Sequence, residues 1–322
     1  MSKSTGENRH DVVIVGAGPA ALSAAIYTTR EDIDTLLFEK GVPGGLAAVT
    51  DWVDNYPGFP EGVAGLELAG NLQKQAERFG AVIEFGEVTA LHDEGAWKRL
   101  ETTSGDVYAK TVLIATGSDY KKLGIPGEAE YYARGVHYCA TCDGAFYRDK
   151  RLVVVGGGNS AVQEAMFLTR FATHIDLLVR SKLRASDVLQ KELKKFVADG
   201  KITVHLGTTT DEIVGDKDGK VVKVAGTTAA SGEKVEIETD GVFIFVGLKP
   251  NSEFLGGQLD TDKIGLIKTD ENLMSSAKGV FVAGDIRSHA TMQVASAVGE
   301  GATAALKIRE YLEGHTDIQL EV

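Results

Sequence analysis

Asp11-Val12-Val13-Ile14-Val15-Gly16-Ala17-Gly18-Pro19-Ala20-Ala21 decides how this chain is read. A short apolar strand runs into G-x-G-x-x-A, and a helix of small residues follows from Leu22 to Thr29. In such a turn the first glycine makes the bend and the second lets backbone approach a pyrophosphate. The small third residue packs helix on strand. The helix start then faces the anionic phosphates with its free N–H groups. Working outward, Thr35 to Phe38 is the next strand, and it ends in Glu39, placed to accept both ribose hydroxyls. Strand, turn, helix, strand and acid in register make a dinucleotide-binding half.

The pattern returns roughly 140 residues later, and this internal repeat organises the chain. Leu152 to Val155 is a strand, Gly156-Gly157-Gly158-Asn159-Ser160-Ala161 the turn, Val162 to Phe171 a helix and Ile175 to Val179 the next strand. Where an acid would read a ribose hydroxyl stand Val179 and Arg180, with Arg184 nearby. A guanidinium suits a 2′-phosphate, so this turn leans towards NADP, with Gly157, Gly158, Asn159 and Ser160 around the phosphates.

Just ahead of the second turn lies Cys139-Ala140-Thr141-Cys142-Asp143-Gly144, which holds the only two cysteines of the chain. Zinc needs four ligands, no second Cys pair exists, and of seven His only His137 is local. The spacing points to a redox-active disulfide.

At 322 residues the chain has room for two ordinary domains, and 43% hydrophobic with 25% charged residues is normal for a globular protein. A net charge of -12 argues against a nucleic-acid partner. Met1 to His10 carries no apolar signal segment, and no run approaches the length of a membrane span. Two cysteines placed for exchange and none for staples suit a reducing cytoplasm.

Other stretches fill in the plan. Gly44-Gly45-Leu46 is a loop without bulk that can lie against a flat ligand, and Asp51 to Pro60 is turn-rich with Asn55 at its centre. Leu66 to Phe79 has helical periodicity. Val82 to Tyr108 reads as a small antiparallel meander, and Val112 to Ala115 as a buried strand ending in Thr116-Gly117. Leu123 to Gly127 and Gly247 to Asn251 read as linkers, Ile202 to Ile237 as a strand-rich polar stretch and Gly241 to Gly247 as a buried strand. Gly279 to Ala283 is a strand ending in Gly284-Asp285, an acid placed to bind a polyol hydroxyl. A long helix from Gln293 to Leu312 can aim N–H groups at a ring that turns anionic on reduction.

With these residues in view, the chain resembles the low-molecular-weight thioredoxin reductases, essentially end to end. The resemblance rests on GAGPAA, NYPGFP, ATG, CATCDG, GGGNSAVQEAMFLTRFA and GVFVAGD, each in the family's order. It implies an α/β fold of two Rossmann-like domains of the three-layer ββα type, the second inserted into the first. An FAD domain would comprise 1–118 and 249–322, and an NADPH-type domain carrying the dithiol 119–248. By the same resemblance Cys139 and Cys142 are the redox disulfide, with Cys142 nearer the flavin and Cys139 attacking the partner, and Asp143 is the general acid. The implied FAD contacts are Gly16, Gly18, Pro19, Ala20, Glu39, Lys40, Gly45, Leu46, Asn55, Val88, Thr116, Gly117, Gly284, Asp285, Gln293 and Val294. Thioredoxin is the implied partner and a homodimer the implied assembly.

The departures are specific. The family usually reads His-Arg-Arg-x-x-x-Arg after the second nucleotide-binding strand; here Val179-Arg180-Ser181-Lys182-Leu183-Arg184 is one residue shorter, with one arginine and the His gone. Asn159 stands where Asp is common, Met292 where Arg precedes Gln293, and Leu46 where Gln is frequent. NADPH is therefore expected to bind weakly. Relatives that draw on ferredoxin, and dithiol oxidases that pass electrons to oxygen, are alternatives. The intact Cys139, Cys142 and Asp143 argue against a non-catalytic flavin-binding protein.

Overall fold

The structure is a computed structural model that describes residues 8–50 and 52–314. Met1 to Glu7, read above for the absence of a signal segment, lie outside the described residues, as do Asp51 and residues 315–322. The chain divides into two compact units, Met1–Asp119 with Lys249–Val322, and Tyr120–Leu248.

In the first unit a parallel sheet runs in the order Val82–Phe85, Thr35–Glu39, Arg9–Val15, Gly105–Ile114 and Val280–Val282. The inner strands are apolar on both faces, as parallel strands covered on both sides must be. Trp97–Thr102 and Val88–Glu94 add antiparallel to the long strand Gly105–Ile114, so the meander covers only 88–114. The sequence reading put Val82–Phe85 in that meander, but it pairs parallel with Thr35–Glu39. It lies at the sheet edge, where Val82 and Phe85 on its two faces are both exposed.

The helix Pro19–Arg30 packs on the C-terminal helix Val294–Leu312, which starts one residue after Gln293. Their crossing is close because Gly301 has no side chain: a Cβ there would lie 2.1 Å from the Ala20 carbonyl oxygen. Ser23 Oγ donates to the Val298 carbonyl at 2.8 Å beside it. Gly301→Ala must therefore push the helices apart, and is expected to cost about 1–3 kcal/mol, read as a lower denaturant midpoint with unchanged slope.

In the second unit a five-stranded parallel sheet has the order Val136–His137, Gly241–Ile244, Arg151–Val155, His174–Val179, Ile202–Leu206. The helices Asn159–Leu168 and Asp187–Ala198 follow its second and third sequential strands. Within the polar stretch 202–237 only Ile202–Leu206 joins this sheet. Thr208–Gly215, Val221–Thr228 and Lys234–Glu238 form a separate antiparallel one. The chain passes between the units in Ser118–Tyr120 and Leu248–Pro250, two short strands that pair with each other.

Leu123–Gly127 is not a free linker. A Cβ on Gly127 would lie 1.9 Å from the Ile213 carbonyl oxygen, so the segment is packed within the second unit. Glu128, 3% exposed, accepts the N–H groups of Leu123 and Gly124 and the Tyr138 hydroxyl at 2.9, 2.7 and 2.7 Å.

Candidate active site: two glycine turns and a dithiol

The two glycine turns repeat each other bond for bond. Gly16 N–H donates to the Phe38 carbonyl at 2.8 Å and Gly156 N–H to the Leu178 carbonyl at 3.0 Å. Both glycines have positive φ, and a Cβ would strike the carbonyl of Ala115 in one unit and of Phe245 in the other, at 2.6 and 2.4 Å. Gly18 and Gly158 precede the helices with nothing within 4 Å of where a Cβ would be, which leaves each helix start open to a ligand.

Beyond that core the turns differ. In the first unit Glu39 accepts Ala17 N–H and Gly41 N–H, both at 2.7 Å, so the acid is held beside the turn by backbone donors. In the second unit no acid stands there. The segment after Val179 folds back instead, and the N–H groups of Arg184 and Ala185 donate to the Gly157 carbonyl at 2.6 and 3.1 Å. Asn159 Oδ1 accepts Ser186 N–H at 2.9 Å. Arg180, Lys182 and Arg184 are exposed, and none has an ion-pair partner among the described residues. The sequence reading did not count Lys182 as a third cation. It also missed Glu164 on the helix after this turn, which has no partner among the described residues and whose carboxyl burial pushes up.

The residues named for FAD fall into three contiguous groups. Gly16, Glu39, Lys40, Val88 and Thr116 line one cavity of about 200 Å³, together with Phe38, Asn251 and Phe254. Asn251 was read only as part of a linker; its side chain donates to the Thr116 carbonyl at 3.1 Å, and Thr116 Oγ1 donates back to its carbonyl at 2.7 Å. Asn251 N–H also donates to the Gly117 carbonyl at 3.1 Å. A second group gathers at the start of the helix Pro19–Arg30. A Cβ on Gly45 would sit 3.6 Å from Gly18 Cα, and one on Gly284 3.1 Å from Ala20 Cβ. Leu46, beside Gly45, is 36% exposed. In the third group Asn55 Nδ2 donates to Gln293 Oε1 at 3.1 Å, and Gln293 caps the helix that begins at Val294.

Asp285 tests whether these groups suit a polyhydroxyl ligand. It is largely buried, and its carboxyl has no hydrogen-bond donor among the described residues. Burial, and then the Glu300 carboxylate, push it from 3.8 up to about 6. A buried acceptor without a protein donor is a place for ligand hydroxyls, and the residues fit a flavin dinucleotide. Glu300 is absent from the residues singled out in the sequence: it accepts Gly284 N–H at 2.9 Å and grips Arg287 through two hydrogen bonds at 3.1 and 2.5 Å, fixing the turn that carries Asp285. A lone acid in the Ala- and Gly-rich start of that helix is the signal that marks it.

Because the folded chain raises this carboxyl, the native state binds the proton more tightly than the unfolded one. Asp285 therefore contributes to the flavin-free protein a loss of stability as pH rises from 3.8 to about 6, about 3 kcal/mol for this group alone. Asp285→Asn is expected to flatten that slope and to raise the urea midpoint of the flavin-free protein at pH 8. An unaltered slope would show that another group titrates.

In the second unit Cys139 and Cys142 are joined as a disulfide, with 5.3 Å between Cα atoms. Cys139 caps the single helical turn Ala140–Asp143, and its sulfur accepts Cys142 N–H at 3.2 Å. No cluster that could hold a metal exists among the described residues. Asp143 Oδ2 lies 3.3 Å from Nδ1 of the buried His137, whose Nε2 is 2.7 Å from the Tyr147 hydroxyl. In the sequence His137 stands out only as the one local His, too few for a zinc site; its position two residues before Cys139 is the signal for a further role.

The whole arrangement of a double glycine turn and a bonded C-x-x-C followed by an acid agrees with the comparisons. Residues 10–301 match the family described as pyridine nucleotide-disulphide oxidoreductase. A thioredoxin reductase of Bacillus subtilis is 41% identical over 95% of this chain and 96% of its own. The chain belongs to the low-molecular-weight thioredoxin reductases. Among solved members, the thioredoxin reductase of Streptococcus pyogenes superimposes with a TM-score of 0.89 at 39% identity, covering 96% of this chain and 99% of that one. An Arabidopsis thaliana relative named NADPH-dependent thioredoxin reductase 3 is 38% identical over 97% of this chain, which spans 60% of it. Thioredoxin reductases of this kind are flavin oxidoreductases, and FAD is the cofactor. No described helix is long and apolar enough to cross a membrane.

Proposed function

We propose that this chain reduces the disulfide of a thioredoxin through the Cys139–Cys142 pair. The observation that carries the reading is the bonded Cys139–Cys142 pair followed at once by Asp143 in the unit that holds the second glycine turn. FAD, when bound, supplies the electron pair that opens the Cys139–Cys142 bond. Asp143 gives its proton to the thiolate released on opening: an O–H bond breaks and an S–H bond forms. Cys139, as thiolate, then attacks one sulfur of the partner disulfide and breaks it, forming a mixed disulfide. Cys142 returns its proton to Asp143 and, as thiolate, attacks Cys139, re-forming the internal disulfide; the two partner sulfurs leave as thiolates and take one proton from Asp143 and one from solvent. The first unit holds the flavin through the three groups above, with Gly18 at the pyrophosphate, Glu39 at a ribose and Asp285 accepting polyol hydroxyls. One test is direct: the purified protein is yellow and reduces thioredoxin, and a colourless preparation that FAD does not reconstitute overturns the reading.

The donor is proposed to be NADPH, bound weakly in the second unit, with Arg180, Lys182 and Arg184 facing its 2′-phosphate. Each charge-assisted contact contributes on the order of 1.5–3 kcal/mol, so losing one arginine and the His weakens binding about tenfold to a hundredfold each. The fold-back of 180–185 onto Gly157 keeps the loop ordered, so weak binding is expected rather than none. Anaerobic mixing should bleach the flavin with NADPH at a high KM and with little advantage over NADH. A low-micromolar KM with strong preference would remove the proposal, and bleaching only by reduced ferredoxin would replace the donor. A homodimer in the cytoplasm completes the reading by family likeness.

A further inference from the structure

We propose that His137 is a positioning residue for the reaction: its Nε2 is tied to the Tyr147 hydroxyl, and its Nδ1, 3.3 Å from Asp143 Oδ2, holds that carboxyl in one orientation by electrostatic contact. It rests on the reading of Asp143 as proton donor given above.

The geometry supplies the direction of each bond. His137 Nε2 is 2.7 Å from the Tyr147 oxygen, and Nδ1 is 3.3 Å from Asp143 Oδ2. Burial first, and then the carboxylates of Asp143 and Asp240, raise the Tyr147 phenol above its ordinary value. Tyr147 therefore keeps its proton and donates it to Nε2. A neutral imidazole that accepts at Nε2 carries its own proton on Nδ1, facing Asp143. That N–H faces Oδ2 at 3.3 Å and leaves Oδ1 as the atom placed to carry the acidic proton. When Oδ1 gives it up to the thiolate, the attraction between the Nδ1–H and the carboxylate strengthens, so His137 stabilises the product of the transfer.

The ring is held for this purpose. His137 and Phe243 are partners in register on adjacent parallel strands, and their rings stack at 5.1 Å. Tyr147 stands edge-on to both, at 5.3 and 5.6 Å. Gly241 makes the room: a Cβ there would lie 2.4 Å from the Tyr147 ring. The other titratable group that senses Asp143 is Tyr132, whose phenol is raised by burial and then by that carboxylate. No second acid or base bonds to His137, so its tautomer answers to Tyr147 and Asp143 alone among the described residues.

The test follows the opening of the Cys139–Cys142 disulfide in the full-length flavin-loaded protein: dithionite reduces the flavin anaerobically without thioredoxin, and the appearance of free thiols is timed by quenching between pH 5.5 and 9. His137→Phe keeps the stacked ring and removes both nitrogens; it is expected to slow disulfide opening about tenfold to thirtyfold and to displace the pH profile. His137→Asn retains a donor near the Nδ1 position and should recover most of that loss. In an Asp143→Asn background His137→Phe should add less than a twofold effect. If it slows that variant as much as it slows the wild type, or leaves the pH profile where it was, the proposal is overturned. Normal disulfide opening by Asp143→Asn alone would overturn the underlying reading of Asp143 instead. Should His137→Phe fail to fold, Tyr147→Phe decides the matter: loss of its hydroxyl frees the tautomer and must displace the pH profile, and an undisplaced profile refutes the proposal.

Discussion

Replacing Cys139 or Cys142 by Ser is expected to reduce thioredoxin reduction to background while the protein remains yellow. A serine hydroxyl stays protonated near neutral pH and forms no S–S bond, so the pair can neither store two electrons nor attack a partner disulfide. Both cysteines lie in Tyr120–Leu248, whereas the residues placed for FAD lie in the other unit, so flavin content should be unaltered. Stability should change little, since closing so short a loop contributes at most about 2 kcal/mol. Normal turnover by either variant with thioredoxin would show that the electrons travel by another route.

Asp143→Asn is the second large effect. An amide of the same shape keeps the turn Ala140–Asp143 and its backbone bond from Asp143 N–H to the Cys139 carbonyl at 3.2 Å. It has no acidic proton to give. The opening of the disulfide then releases a thiolate with no donor beside it, and turnover should fall by about 10²–10⁴-fold. The loss should be smallest at low pH, where solvent protonates the thiolate. An unchanged rate would leave Asp143 as a turn former only.

Much of this was legible from residue order. A turn that bends a strand into a helix against another strand's carbonyl needs glycine at Gly16 and Gly156, and no other residue satisfies both the positive φ and the clearance. Asp285 was legible because a strand runs into it, and the dithiol because only two cysteines exist. What failed was whatever depended on remote neighbours. Val82–Phe85 reads as a meander strand because this edge strand is exposed on both faces, at Val82 and at Phe85. Leu123–Gly127 reads as loose because glycine and proline look the same in a free linker and in a segment pressed against the Ile213 backbone. Glu300 and Arg287 meet across thirteen positions, and Asn251 reaches Thr116 across 135. His137 is close in sequence to its partners, yet its meaning lies in ring nitrogens whose direction no spacing encodes.

The buried carboxylate of Glu128 has a mechanical consequence. It clasps the amides of Leu123 and Gly124 on one side and the hydroxyl of Tyr138, the residue before Cys139, on the other. Leu123, Gly124 and the residue ahead of the dithiol are thus tied together inside the second unit. A load on Leu123 and Gly124 is passed to the residue before Cys139 through one carboxylate.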